Sequence, residues 1–404
     1  MKLSEELTWR GFVGQTTYED VTKLDNNQIS FYWGVDPSAD SMTIGNLAAA
    51  MMVRHFIDHG HKAYLLVGGA TGLIGDPDGK SDERNLKTIE EIAKNKAGIA
   101  AQYSNLFAGK DFTVVDNYNW FKDMNYLDFL RDVGKYMPMS QMLDREFVKT
   151  RLGRDGSGLS YAEFSYALIQ GYDFVHLFRE YGITLQLCGA DQWGNCIAGV
   201  DLIRRIEGKE ADVYSTKLIV NKSTGVKFGK SEDGAVWLSP DKTSVYKFYQ
   251  FWLNTDDEGV ADYLKIYTLL DKSTIEDLNL KTKENPSARL AQKALAYEAT
   301  KMVHGQDRAE SVVRVTDVLF GNADLAILDN KDLDTLASEI PSVNVGKTIV
   351  EILAESGSVA SNGEARRLIM NGAISINGEK INDNIKINSK TLIKKGKNSF
   401  ILVR

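Results

Sequence analysis

The sequence predicts an α/β protein in several parts: a domain with a mostly parallel sheet over residues 1–238, a helical domain over 239–330, a linker at 331–340 and a small α+β domain over 341–404. Three observations carry that expectation. Up to about Leu238, short apolar runs alternate with helical stretches, as in a sheet whose strands are joined by crossover helices. From about Ser239 to Leu328 the strand signal fades and apolar residues recur at helical spacing. From Pro341 to Arg404 there are ten Lys/Arg against five Asp/Glu, a net +5 in a chain of net −7, so the remainder carries −12.

Taken in order, AYLLVGG (63–69), FTVVD (112–116) and TLQLCG (184–189) read as strands of the first domain. VYKFYQFWLN, VADYLKIYTLL and SARLAQKALAYEATKMVHG read as helices of the second. The polar stretch DNKDLDTLASEIPSVNVG reads as linker. Beyond it, TIVEILAESG and NGEARRLIMNG suggest two short helices, and AISINGEKI and SFILVR suggest strands. A basic segment closing an acidic chain points to a nucleic-acid-facing surface, although a merely solvated basic face accounts for the charge as well.

Composition narrows the function classes. With 404 residues, 43% apolar and 25% charged, the chain has the balance of a globular protein with a full-sized core. No apolar run approaches the roughly 20 residues of a membrane span, and MKLSEELTWRGF lacks a signal peptide's apolar core, so a cytoplasmic protein is expected. Cys188 and Cys196 have no Cys or His nearby to complete a zinc site; buried reduced thiols and no protein-bound metal are expected.

Three segments carry chemistry. GGATGLIGDPDGKSDER (68–84) follows a strand and packs five glycines into a dozen residues, letting the backbone approach a ligand while Asp76, Lys80 and Arg84 offer charge. By itself it fits a plain glycine-rich loop equally well, since it matches neither the P-loop nor the GxGxxG pattern. In SYAEFSYALIQGYDFVHLFRE, Tyr166, Gln170 and Asp173 stand at i, i+4 and i+7 on one helix stripe, a binding face or a polar outer face. LQLCGADQWGN then runs from a strand through Gly189 into Asp191 and Gln192, the switch-point position where open α/β sheets bind nucleotides. Last, KFGKS places Lys227 and Lys230 three residues apart across a glycine, followed by Ser231.

These stretches, with FYWGVDPSADSMTIGNL and DNYNW and in this order, resemble the bacterial tyrosyl-tRNA synthetases, class I aminoacyl-tRNA synthetases, along essentially the whole chain. The resemblance implies a Rossmann-type catalytic domain, a helical anticodon-binding domain, a small C-terminal RNA-binding domain and a homodimer. The implied partners are L-tyrosine, ATP with Mg2+, and tRNA(Tyr). KFGKS resembles the KMSKS loop, so Lys227 and Lys230, with Ser231 beside them, would meet the ATP phosphates as charge builds on them. Carried over residue by residue, Tyr32 and Asp173 face the phenolic hydroxyl, and Asp76, Tyr166 and Gln170 face the α-ammonium, with Asp36 in the same pocket. Gln192 sits near the reacting carboxyl, Gly189 and Asp191 at the ribose, Ser38 and Gly45 at the nucleotide, and Lys80 and Arg84 at the pyrophosphate. Arg366, Arg367, Lys386, Lys390, Lys394, Lys395 and Lys397 are the expected tRNA contacts.

One stretch departs from the pattern. The first class I motif usually begins with histidine, but here it is TIGN, and the five histidines lie elsewhere. Asn46 can still hydrogen-bond the nucleotide, while Thr43 offers one hydroxyl of shorter reach toward the γ-phosphate. Two rivals to a tyrosine-tRNA ligase therefore stand: a tryptophan-specific class I enzyme, against which Asp173 and Tyr32 argue, and a non-catalytic RNA-binding protein on a synthetase scaffold.

Overall fold

The computed structural model describes residues 1–77, 86–153, 156–225, 228–231, 234–321, 323–397 and 399–404, with only the backbone of 230–231. Two compact units result: Met1–Thr243 with Phe251–Val303, and Ser244–Gln250 with His304–Arg404.

The first unit is built on five parallel strands, β1 (Ser30–Val35), β2 (Lys62–Val67), β3 (Phe112–Asp116), β4 (Leu185–Cys188) and β5 (Asp212–Ser215), in the order β3-β2-β1-β4-β5. The three runs read as strands from the sequence are β2, β3 and β4. Phe31, Tyr32 and Trp33 of β1, all of β4 and β2 beyond Lys62 are buried, as central strands covered on both faces must be, while edge strand β3 exposes Thr113 and Val114. The chain leaves β1 for β2 and β3 on one side and returns as β4 on the other, so the sheet's switch point lies between the carboxyl ends of β1 and β4.

Two helices frame that point. Tyr161–Tyr181 begins at Ser160, whose hydroxyl accepts from the Glu163 N–H, and Glu163 is itself gripped by the buried guanidinium of Arg151 at 2.9 and 3.1 Å. It packs against Trp193–Glu207 through two glycines: a Cβ at Gly171 would stand 2.9 Å from the Leu202 side chain, and one at Gly199 3.0 Å from Phe174. Phe174, Leu177, Leu202 and Ile203 fill the core there, with the Phe174 ring edge-on to Tyr32 at 5.2 Å.

The region read as helical is helical: Val245–Leu253, Val260–Tyr267, Lys272–Glu284, Leu290–His304 and Gln306–Phe320. The stretch expected to be a linker is not irregular chain but a helix, Asn330–Glu339. Asp329 caps it, accepting from the Asp332 N–H at 2.9 Å, while the buried Asp332 carboxylate takes two bonds from Arg314. Leu333 and Leu336 pack with Val315, Leu319 and Leu402, so a mostly polar composition hides one apolar face. The two short helices and terminal strands expected beyond it are present: Ile349–Glu355 and Asn362–Met370 cover a five-stranded sheet whose long central strands are Thr391–Lys395 and Ser399–Val403.

Candidate active site

At the switch point lies a cavity of about 530 Å³. Every residue assigned from the sequence to tyrosine lines it: Tyr32, Asp36, Asp76, Tyr166, Gln170, Asp173 and Gln192. So do Ser38, Thr43, Gly45, Asn46, Gly189 and Asp191 of the nucleotide set. Lys80, Arg84 and Lys227 lie outside the described residues, as do the side chains of Lys230 and Ser231.

The Tyr161–Tyr181 helix contributes its stripe. Tyr166 donates its hydroxyl to Asp36 Oδ2 at 2.6 Å, and Thr71 donates to Asp36 Oδ1 at 2.6 Å. Gln170 Oε1 is buried with no hydrogen-bond partner among the described residues, and the same is true of Tyr32 Oη. Two orphaned polar atoms lining one cavity are what a polar ligand would satisfy. Asp173 accepts from Asn117 Nδ2 at 3.1 Å and Trp120 Nε1 at 2.9 Å. Burial pushes its carboxyl up to about 8, the charges of Asp36 and Asp116 add to the rise, and the two donors pull against it. Burial also raises the hydroxyl pKa values of Tyr32 and Tyr166, so both stay protonated donors.

Three positioning side chains were not assigned from the sequence. Asn117 and Trp120 fall inside DNYNW but drew no role, because nothing local tells which side chain faces a helix some fifty residues on. Asn117, fully buried, also accepts from the Ala70 N–H at 2.6 Å and donates to Thr71 at 3.0 Å, locking the glycine-rich turn to the acid pocket. Asn195 donates to Gln192 Oε1 at 3.2 Å, leaving Gln192 Nε2 to bond Asp76 at 2.7 Å. The glycines of that turn also have a nearer reason than a ligand: a Cβ on Gly68 would sit 2.1 Å from Asp36 Oδ1, and one on Gly69 2.2 Å from Asp116 Oδ1.

At the end of the cavity expected to take the nucleotide, TIGN opens the helix Ile44–Asp58, and the chain just after KFGKS runs beside it: Ile44 donates to Val236 O at 3.0 Å and Leu238 to Met42 O at 2.9 Å. Gly229 takes φ +108° and passes so close that a Cβ would meet Gly45 N at 3.3 Å. Phe228 stacks on Tyr263 at 4.2 Å, with Phe251, Trp252 and Tyr267 around it, and so pins this end of the lysine-bearing segment.

Among the C-terminal cations, Arg366, Arg367, Lys386, Lys390 and Lys397 are exposed. Lys395 bonds the Ser358 carbonyl, and Lys394 lies over the Phe400 ring at 5.2 Å, so these two are partly engaged within the fold.

A parallel sheet with a polar cavity at its switch point, bordered by the first-motif turn and the KFGKS segment, is the catalytic architecture of class I aminoacyl-tRNA synthetases. Residues 24–321 match the family model of class I tRNA synthetases for tryptophan and tyrosine, and residues 332–404 match the C-terminal domain of the tyrosine–tRNA ligases. The chain is 42% identical over 422 residues to the tyrosine–tRNA ligase of Flavobacterium psychrophilum, covering all of this chain and 96% of that one, and 41% identical over 418 residues to that of Limosilactobacillus reuteri, covering both completely. A C-terminally truncated mitochondrial tyrosyl-tRNA synthetase of Aspergillus nidulans superposes with a TM-score of 0.70 at 30% identity, over 77% of this chain and 92% of that one. The chain belongs to the tyrosine–tRNA ligase family. These matches favour neither a tryptophan-specific enzyme nor a non-catalytic RNA-binding protein.

Proposed function

We propose that the cavity activates L-tyrosine with ATP to enzyme-bound tyrosyl-adenylate and pyrophosphate, and that the enzyme then transfers tyrosine to the 3′ end of tRNA(Tyr). The observation that carries the assignment of residues is the pairing of two orphaned buried atoms, Tyr32 Oη and Gln170 Oε1, with the acids of the same cavity. An α-ammonium suits Asp76, the Gln170 carbonyl and the lone pairs of Tyr166, and a phenol suits Asp173 and Tyr32. The substrate carboxylate attacks the α-phosphorus, and charge moves onto the departing pyrophosphate, so catalysis is positioning plus cation placement. Gln192, held by Asn195 and with one N–H given to Asp76, offers its other N–H near the reacting carboxyl; Lys80, Arg84, Lys227 and Lys230 supply the positive charge. Mg2+ arrives with the ATP phosphates, which are its usual ligands; among the described residues no cluster of three His, Cys, Asp or Glu is placed to hold a metal. Tyrosine-dependent exchange of labelled pyrophosphate into ATP tests the assignment, and purified protein that exchanges with tryptophan or not at all would sink it.

The helical region 239–330 is assigned to the anticodon and the basic segment 341–404 to tRNA phosphates. Replacing Lys386, Lys390 and Lys397 together by Ala should lower the slope of log affinity against log salt by about 2, since each phosphate contact contributes roughly 0.7 to 0.9, while pyrophosphate exchange stays unchanged. An unaltered slope would mean that these lysines face something else. Self-association is assigned to an apolar groove of about 300 Å³ lined by Phe121, Met124, Phe129 and Ile169 and rimmed by Tyr126 and Tyr161, which are 58% and 62% exposed. A Tyr126→Asp/Tyr161→Asp variant that remained dimeric in light scattering would refute that face. No helix among the described residues is long and apolar enough to cross a membrane. A cytoplasmic setting suits the two free, buried thiols Cys188 and Cys196.

A further inference from the structure

We propose that Thr43 is a positioning residue that aims the Asn46 carboxamide at the nucleotide, and that its hydroxyl is not itself a phosphate contact; the inference rests on the activation reaction proposed above. The Thr43 backbone is extended (φ −111°, ψ 171°) and fixed from outside, bridged to Trp237 and followed by the Ile44 bond to Val236. Its N–H faces Asn46 Oδ1 at 3.0 Å. A backbone N–H can only donate, so the amide atom opposite it must be the oxygen, which decides the orientation of the Asn46 side chain. Thr43 Oγ1 lies 3.1 Å from the same Oδ1. Two oxygens at that distance need a proton between them, and a carboxamide oxygen has none, so the hydroxyl donates.

Both lone pairs of Asn46 Oδ1 are thereby taken, and Nδ2 is left with two N–H donors in a residue that lines the cavity. Thr43 has the reverse character. Its proton is turned toward Asn46, and what remains of its hydroxyl is lone-pair density that phosphate oxygens would avoid. The first position of the motif thus acts through the fourth, where the sequence alone suggested a hydroxyl reaching for the γ-phosphate.

A double-mutant cycle on the full-length enzyme tests this, reading KM and kcat for ATP and for tyrosine in pyrophosphate exchange. Thr43→Val should cut kcat/KM for ATP about five-fold, the worth of one neutral hydrogen bond, and leave the tyrosine KM unchanged. Thr43→Ser, which keeps the hydroxyl, should restore most of the loss. Asn46→Ala should cost at least about ten-fold, and Thr43→Val/Asn46→Ala no more than Asn46→Ala alone, because the hydroxyl has nothing left to position. Losses that multiply in the double variant, or Ser as impaired as Val, would overturn the proposal by showing that Thr43 meets the nucleotide independently or only fills space. Equilibrium dialysis with ATP alone reads the same coupling without any amino acid. A cycle that shows the coupling there while the wild-type protein fails to exchange with tyrosine would fault the tyrosine assignment and uphold this one.

Discussion

At one end of the cavity Asp36, Asp76 and Asp173 are each held by bonds from neighbouring side chains, and Tyr32, Tyr166 and Gln170 stand on a strand and a helix packed into the core. At the other end stand Gly45 and Asn46 at a helix start, Gly189 and Asp191 after β4, and Gly229 beside Gly45, in a segment that Phe228 and the chain after it hold. Among the described residues lining the cavity there is no lysine or arginine. The cations are assigned to positions 80, 84, 227 and 230. The contrast teaches where each task can be carried out. Telling a phenol from a benzene ring needs buried polar groups that cannot relax, whereas stabilising a departing pyrophosphate needs charge brought up when it develops.

The strongest way to break that comparison is at the KFGKS segment. Lys230→Ala should lower the rate of adenylate formation by about 10²-fold or more and leave tyrosine binding nearly unchanged, because its contact matters in the transition state. Single-turnover adenylate formation beside equilibrium dialysis with tyrosine decides it; equal losses in both would give the segment a structural part at the tyrosine end.

At the rigid end, Asp173→Asn, compared above about pH 8 where the carboxyl is ionised, should cost tyrosine about 1.5 to 3 kcal/mol in kcat/KM and narrow the margin over phenylalanine. Tyrosyl-tRNA synthetases are themselves the standard illustration of this rule, so the margin is predicted in direction alone. The raised pKa sharpens the test. Because the ionised carboxylate is the better acceptor for the phenol, the tyrosine/phenylalanine ratio should climb with pH through about 8 in the wild type and stay flat in Asp173→Asn. Stability runs the other way. The folded chain holds this proton more tightly than the unfolded chain, whose carboxyl titrates near 3.9, so the group's contribution is full below that value and is lost as pH rises through about 8. A melting-temperature difference between Asp173→Asn and wild type that failed to grow in the variant's favour over that range would contradict the buried carboxyl.

The smallest of these effects should come from Asn117→Ala, about 1 kcal/mol, or roughly five-fold in kcat/KM for tyrosine, with the inflection in the pH profile moving higher because one of the bonds favouring the carboxylate is gone. An unmoved inflection would mean that Asn117 serves the glycine-rich turn alone.

Much of this was open to reading in the primary structure. Strand runs 63–69, 112–116 and 184–189 are apolar and bounded by turn residues, and the Tyr166, Gln170, Asp173 stripe follows from helical spacing; both are local properties, and each element formed where its pattern lay. Composition misled at 331–340, where a helix with a buried aspartate and two buried leucines is held by Arg314 and Asp329. That helix also bears on how the C-terminal segment should be probed. Leu333 and Leu336 share a core with Leu392 and Leu402, so cutting the chain near Ile340 would expose them, and lysine replacement is the cleaner experiment.

The sequence by itself determined which groups the protein has for its reaction and the order in which they occur, since hydrogen-bonding type, charge and periodicity are carried by the residues. Only the tertiary structure decided how those groups are spent. Asn117 and Trp120 turn toward Asp173 across more than fifty residues, and Thr43, held against Trp237, gives its proton to Asn46 three residues on, as Asn195 turns Gln192 three residues back; a donor's choice among acceptors depends on distance and direction, which the folded backbone sets.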